Sequence, residues 1–135
     1  MRKGHIFENE LAKIIDHLNK TGIHAHKNHA RRTVDGTYIE GEPFDYEVFA
    51  HGRLHCFDAK ECHASRWNLS NAKLSQIKHL LNCKRHGADA FFLVLFTPGR
   101  VKKFDVELVR NALADGKRSL MPEEGDDWDW TELRQ

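Results

Sequence analysis

Residues 43–61 read PFDYEVFAHGRLHCFDAKE, and the reading of this stretch decides the fold. Two runs of strand-like composition flank His51-Gly52, an X-Gly pair of the kind that closes a two-residue hairpin. With those two residues as the loop, Phe49 faces Leu54, Glu47 faces Cys56 and Asp45 faces Asp58. Lys60 lies two residues beyond Asp58 and shares its face, because strand side chains repeat every second residue. The other face carries Phe44, Tyr46, Val48, Phe57 and Ala59, an apolar surface suited to a covering helix. Burial therefore fixes the register, since a slip of one residue would turn the apolar set to water. The register predicts Asp45 and Asp58 directly across from each other, roughly 5 Å apart at Cβ. Like charges so opposed destabilise a sheet, and a divalent cation with a lysine beside it is the simplest compensation.

An Asp followed by Asp-x-Lys on a neighbouring strand resembles the active site of the PD-(D/E)XK nucleases. That resemblance implies Mg²⁺, with Mn²⁺ able to substitute, held between Asp45 and Asp58. The metal would polarise the scissile phosphate and lower the pKa of the attacking water, and Lys60 would stabilise the charge that develops on phosphorus. The bland alternative is a hairpin that merely carries surface charges.

The surrounding chain is consistent with one soluble domain. Its 135 residues are 40% hydrophobic and 30% charged. No apolar run reaches the ~20 residues that span a bilayer, and no membrane partner is expected. The N-terminus lacks the apolar core of a signal peptide, and three cysteines without framework spacing suit a reducing compartment, so a cytoplasmic location is expected. The net charge of +1 conceals segregation: residues 35–61 carry a net −5, residues 1–34 a net +4 and residues 62–86 a net +5. An acidic hairpin between basic segments suits a metal-dependent nuclease, whose carboxylates hold the ion while Lys and Arg attract the phosphate backbone. Arg31, Arg32, Arg66, Lys73 and Lys78 are the candidate DNA contacts.

Phe7, Leu11, Ile14, Ile15 and Leu18 recur at helical spacing, which predicts a helix over residues 6–20 with Gly22 at its C-terminal end. Glu8 lies at the margin of this stripe, either as a third carboxylate aimed at the hairpin or as a first-turn acid favoured by the helix dipole. Residues 23–29 read as a strand with Ile23 and Ala25 inward and His24 and His26 outward. Zinc at the histidines, or at Cys62-His63 with Cys83 and His86, is a poor match to tetrahedral spacing. Residues 30–42 contain a second turn signal, Asp35-Gly36, and are expected to form a short protruding hairpin or loop.

A helix is expected from about Ser70 to His86, capped by Ser70 or Asn68, with Leu74, Ile77 and Leu81 buried and Gly87 ending it. Gln76 sits on the shoulder of that stripe, either reaching a phosphate or metal-bound water, or solvated as ordinary helix surface. The run AFFLVLF at 90–96 predicts a strand buried on both faces. Residues 101–104 read as a short edge strand and 106–113 as an amphipathic turn or helix. The domain is placed at 1–122, followed by an acidic tail at 123–135 that either docks by Trp128 and Trp130 or stays mobile.

Taken together these segments resemble a RecU-type Holliday junction resolvase, a family within the PD-(D/E)XK nucleases. The resemblance rests on GHIFE at 4–8, PFDY at 43–46, FDAKEC at 57–62, WNLSN and SQIKHL within 67–80, FFLVLF at 91–96 and GKRSLMPEE at 116–124. It implies an α/β, restriction-endonuclease-like fold, a mixed β-sheet core flanked by helices. By position it implies Glu8, Asp45, Asp58 and Lys60 as the active-site set, with Glu8 joining the two aspartates as metal ligand and Gln76 as the helical partner. It further implies a homodimer that nicks four-way (branched) DNA symmetrically. Asp58 stands where the family usually has Glu, the stalk is at best residues 30–42, and no long basic N-terminal extension is present; these differences suggest a compact, phage-type member. The competing expectations are a less selective nuclease acting on flaps, ends or single strands, and a non-catalytic DNA-binding module.

Overall fold

The computed structural model describes residues 5–28, 31–32, 38–39, 46–97 and 99–133. Chain order is α1 (His5–Lys20), β1 (His24–Lys27), β2 (Arg31–Arg32), β3 (Tyr38–Ile39), β4 (Tyr46–Ala50), β5 (Arg53–Cys62), β6 (Trp67–Asn68), α2 (Leu74–Arg85), β7 (Asp89–Phe96), β8 (Arg100–Asp105), α3 (Val106–Ala114), β9 (Ser119–Leu120) and β10 (Asp126–Asp127).

His51 and Gly52 have φ of 55° and 72°, the paired left-handed conformation of a type I′ turn, whose twist matches the flanking strands. Across that turn Tyr46 pairs with Phe57, Glu47 with Cys56 and Phe49 with Leu54, the register the sequence predicts. Asp45 lies outside the described residues, so its place opposite Asp58 remains the expectation of that register.

The hairpin sits inside a six-stranded sheet of order β1-β4-β5-β7-β8-β10. Only β5 and β7 run parallel, and α2 lies in the long connection that a parallel pair requires. Helices cover both faces, giving the mixed α/β architecture expected. On one face α1 lays Phe7, Leu11 and Leu18 over Tyr46, Val48, Phe57, Phe91 and Leu93. On the other, α2 and α3 lay Ile77, Leu80, Val106 and Val109 over Cys56, Ala90, Phe92, Val94 and Phe104. Successive residues of β7 thus feed opposite cores, which explains why its sequence is apolar without alternation. Tyr46, Phe57 and Phe91 stack across three strands with ring centroids 5.2 and 5.1 Å apart. Each such buried ring contributes roughly 1.5–3 kcal/mol of transfer free energy.

Helix α1 ends as expected. Gly22, at φ 92°, donates its N–H to the Asn19 carbonyl and Ile23 donates to the Leu18 carbonyl, the paired bonds of a Schellman motif. The second helix departs from expectation. Asn68 caps a 3₁₀ turn at Leu69–Asn71 by accepting the Ser70 N–H at 2.9 Å, and α2 starts only at Leu74. Leu69 and Ala72 occupy the interior, Ile77 and Leu80 are buried, and Leu81 is half-buried. Leu74, expected in the core, is 80% exposed at the first position of α2.

One further difference lies toward the C-terminus, and one of the two alternatives for the tail is settled there. Strand β8 is not an edge, since β10 pairs with it through Asp126–Lys103 and Asp127–Lys102. The tail docks: Trp128 packs 6.3 Å from the Phe57 ring, Trp130 meets His17 edge-on at 5.3 Å, and Leu133 is 5% exposed. Between β1 and β4, β2 and β3 pair antiparallel with Arg31 opposite Ile39. The Asp35-Gly36 turn signal between them lies outside the described residues.

Candidate active site

Strand β5 is interior to the sheet, paired by β4 on one side and β7 on the other. This rigid setting holds Asp58 opposite Phe92 and Lys60 opposite Val94. Both side chains project to the α2 face, as their parity with Cys56 requires. Asp58 is 1% exposed, and the Lys60 ammonium lies 2.8 Å from its Oδ2. Removing a carboxylate from water is unfavourable unless opposite charge accompanies it, so the pair is a mutual requirement. A carboxylate beside an ammonium on an interior strand is the part of the expected constellation that the described residues bring together.

The remaining assigned residues are placed as follows. Glu8 is half-exposed on the first turn of α1, and its carboxylate lies 3.8 Å from Lys27 on β1. Helix α1 packs on the face opposite the Asp58 side chain, and the ion pair that Glu8 makes is with Lys27 on β1. Gln76 is half-buried, and its Oε1 accepts the backbone N–H of Lys73 at 3.1 Å, closing the first turn of its own helix. Lys73 and Lys78 are exposed on α2, and Arg66 donates through Nε to Ser119 Oγ at 2.8 Å. Arg31 and Arg32 form β2, but their side chains, like Asp45, lie outside the description.

A residue that the sequence reading left unassigned joins α1 to strand β5. Glu61, next to Lys60 but on the opposite face, is 3% exposed at its side chain. Its Oε2 accepts the Phe7 N–H at 3.4 Å, satisfying one of the donors that a helix start leaves open. His63 Nε2 stands 3.8 Å from its other oxygen. The signal was available: Glu61 shares parity with Phe57 and Ala59, and so faces the helix.

At the other end of β5, Asp89 accepts from Lys103 at 2.6 Å and lies 3.3 Å from His55 Nδ1. Burial alone would raise this carboxyl, but the hydrogen bonds from His55 and Lys103 outweigh it and hold the pKa at about 2. Burial pushes the Cys56 thiol up to about 12, with neighbouring Cys83 adding to the shift, so Cys56 is an inert core thiol. Cys62 Sγ donates to the carbonyls of Ala64 and Arg66. Among the described residues no group of three or more His, Cys, Asp or Glu is arranged to hold a metal ion. His29 and Asp45 fall outside that set.

The model of the family RecU, recombination protein U, matches residues 5–118. The chain belongs to the RecU family. Among solved structures, it is similar to Hjc of Archaeoglobus fulgidus, a Holliday junction resolvase from an archaeal hyperthermophile, with a TM-score of 0.49 and 19% sequence identity. That similarity covers 77% of this chain and 73% of Hjc. A search of curated proteins finds no significant match.

Proposed function

We propose that this protein is a Holliday junction resolvase, a Mg²⁺-dependent endonuclease that works in the cytoplasm as a homodimer and nicks two strands of like polarity across a four-way DNA junction. The observation that carries the proposal is the buried Asp58 carboxylate held 2.8 Å from the Lys60 ammonium, in a chain of the RecU family.

The donor chemistry fits a hard divalent ion. Asp58 offers carboxylate oxygens from a strand fixed by two neighbours, the register read from the sequence would set Asp45 across from it, and Glu8 is the third assigned ligand. Mg²⁺, or Mn²⁺ in its place, would supply a water of lowered pKa and charge neutralisation at the phosphate. Lys60, oriented by Asp58, donates toward the phosphoryl oxygens as negative charge develops there. Gln76 has its carbonyl oxygen committed to the helix cap, which leaves its amide NH₂ as the donor to a phosphate or to the attacking water. Arg31, Arg32, Arg66, Lys73 and Lys78 neutralise phosphates and set the register of the DNA without reading its sequence.

The test is cleavage by Asp58→Asn and Lys60→Ala. Both are expected to lose strand scission while binding a synthetic four-way junction; wild-type cleavage by either places the chemistry elsewhere. A second reading is a less selective nuclease, since the stalk expected of the family is at best residues 30–42 of this chain. Equal cleavage of a four-way junction and of linear duplex with the same arm sequence would select it.

A further inference from the structure

We propose that Leu74 is an apolar wedge that packs against unstacked bases at the branch point of four-way DNA. The inference rests on the junction-binding reading above and names the residue that would confer preference for a branch over continuous duplex.

An exposed leucine is by itself ordinary. The setting of this one is not. Among the described residues Leu74 is the most exposed large hydrophobic, at 80%, whereas Phe49, Ile6 and Met121 lie between 42% and 52%. It opens α2, and on a wheel of 100° per residue Lys78 and Arg85 fall within about 40° of it, on the same exposed stripe. Lys73 precedes it directly. Among the described residues neither Lys73 nor Lys78 has a carboxylate within ion-pair distance. Residues 62–86 contain five Lys and Arg and no Asp or Glu. Another protein surface seeking an apolar contact would meet uncompensated positive charge here, whereas a polyanion with exposed base faces complements both features. Inserting an aliphatic side chain between base steps, with cations on the adjoining phosphates, is an established way for proteins to hold unstacked or kinked DNA.

The topology sets this stripe beside the candidate active site. Strands β5 and β7 run parallel, with Cys62 opposite Phe96 at one end and His55 opposite Asp89 at the other. The last turn of α2 is tied to the His55 end, where Arg53 Nε donates to the Gly87 carbonyl at 3.0 Å. The first turn of α2 therefore lies toward the Cys62 end, the half of β5 that carries Asp58 and Lys60. Gln76 closes that turn by accepting the N–H of Lys73, the residue before Leu74.

The experiment compares wild type, Leu74→Ala, Leu74→Met and Lys78→Ala for binding, in EDTA, to a synthetic four-way junction and to linear duplex of the same arms. A 2-aminopurine placed at the branch reports unstacking. Because Leu74 is exposed and alanine favours helix, Leu74→Ala is expected to fold as wild type does. It should lose roughly fivefold or more of the junction-over-duplex preference, together with the fluorescence rise at the branch, and Leu74→Met should retain both. Lys78→Ala should weaken the two DNAs alike. An unchanged preference in Leu74→Ala overturns the inference, as does weakened self-association with unchanged preference, which would assign the patch to a second copy of the chain. If wild type itself fails to prefer the junction, the resolvase reading falls first and the wedge with it.

Discussion

Lys60→Met, measured for stability and not for cleavage, probes the heart of the site. Methionine keeps the length and much of the volume of the lysine stem, so the change removes charge without opening a large cavity. The Asp58 carboxylate is 1% exposed and Lys60 is 20% exposed, with 2.8 Å between their charged atoms. The pair therefore belongs with buried ion pairs, where loss of one partner costs about 3–5 kcal/mol, and not with surface pairs worth about 0–1 kcal/mol. Partial access of water around Lys60 argues for the lower end, about 3 kcal/mol. Asp58→Asn behaves differently, because it leaves an ammonium that can hydrate, and is expected to shift stability by no more than about 1 kcal/mol. The double variant should then be more stable than Lys60→Met alone, since the carboxylate that lost the Lys60 ammonium has been neutralised. Urea unfolding at pH 7 in EDTA measures all four proteins; with a slope of roughly 2 kcal/mol per molar, Lys60→Met should unfold about 1.5 M earlier than wild type. Refutation would be a Lys60→Met midpoint equal to wild type, with no recovery in the double variant. The same experiment in Mg²⁺ should restore part of the loss in Lys60→Met, because a cation bound near Asp58 stabilises the folded state by mass action.

Three other perturbations test the frame around the site. Asp89, held at a pKa of about 2 against an ordinary 3.8, contributes about 2 kcal/mol of stability that is present above pH 4 and lost as pH falls toward 2. Asp89→Asn should therefore lower stability at pH 6 and converge on wild type near pH 2, as read by denaturant melts across that range. A Cβ added to Gly125 would meet Phe104 Cε1 at 2.9 Å and the Lys103 carbonyl at 3.0 Å, so Gly125→Ala should cost about 1–3 kcal/mol by thermal melting. Leu133→Ala should cost about 2–3 kcal/mol in urea, and an unchanged midpoint would refute the packing of the tail into the core.

The hairpin register was legible because two independent constraints agreed: the His51-Gly52 turn chemistry and an apolar set that only one register buries. Strand β7 was legible because residues feeding two cores must be apolar without a break, and α1 because its stripe repeats at 3.6 residues up to a glycine. What escaped was set by tertiary contacts. Leu74 fits a helical stripe, yet Leu69 and Ala72 fill the interior first and the helix starts later than its hydrophobic pattern. Gln76 accepts the N–H of Lys73, a capping contact that the sequence pattern does not show, while its amide NH₂ stays available to the site. Tail docking depends on Leu133 and Trp128 finding a cleft beside Phe57 and α1, which no local pattern encodes. Glu61 points to the opposite face from Asp58, and its partner, the Phe7 N–H, is fixed only once α1 lies over the sheet. Asp45, on which the metal assignment leans, is a matter of register alone.

The most direct measurement is incubation of the wild-type protein with a synthetic four-way junction in Mg²⁺, with EDTA as the control. The account predicts paired nicks placed symmetrically about the branch in Mg²⁺ and intact junction in EDTA. An intact junction in both, despite tight binding, would contradict it and leave Asp58 and Lys60 as a structural ion pair.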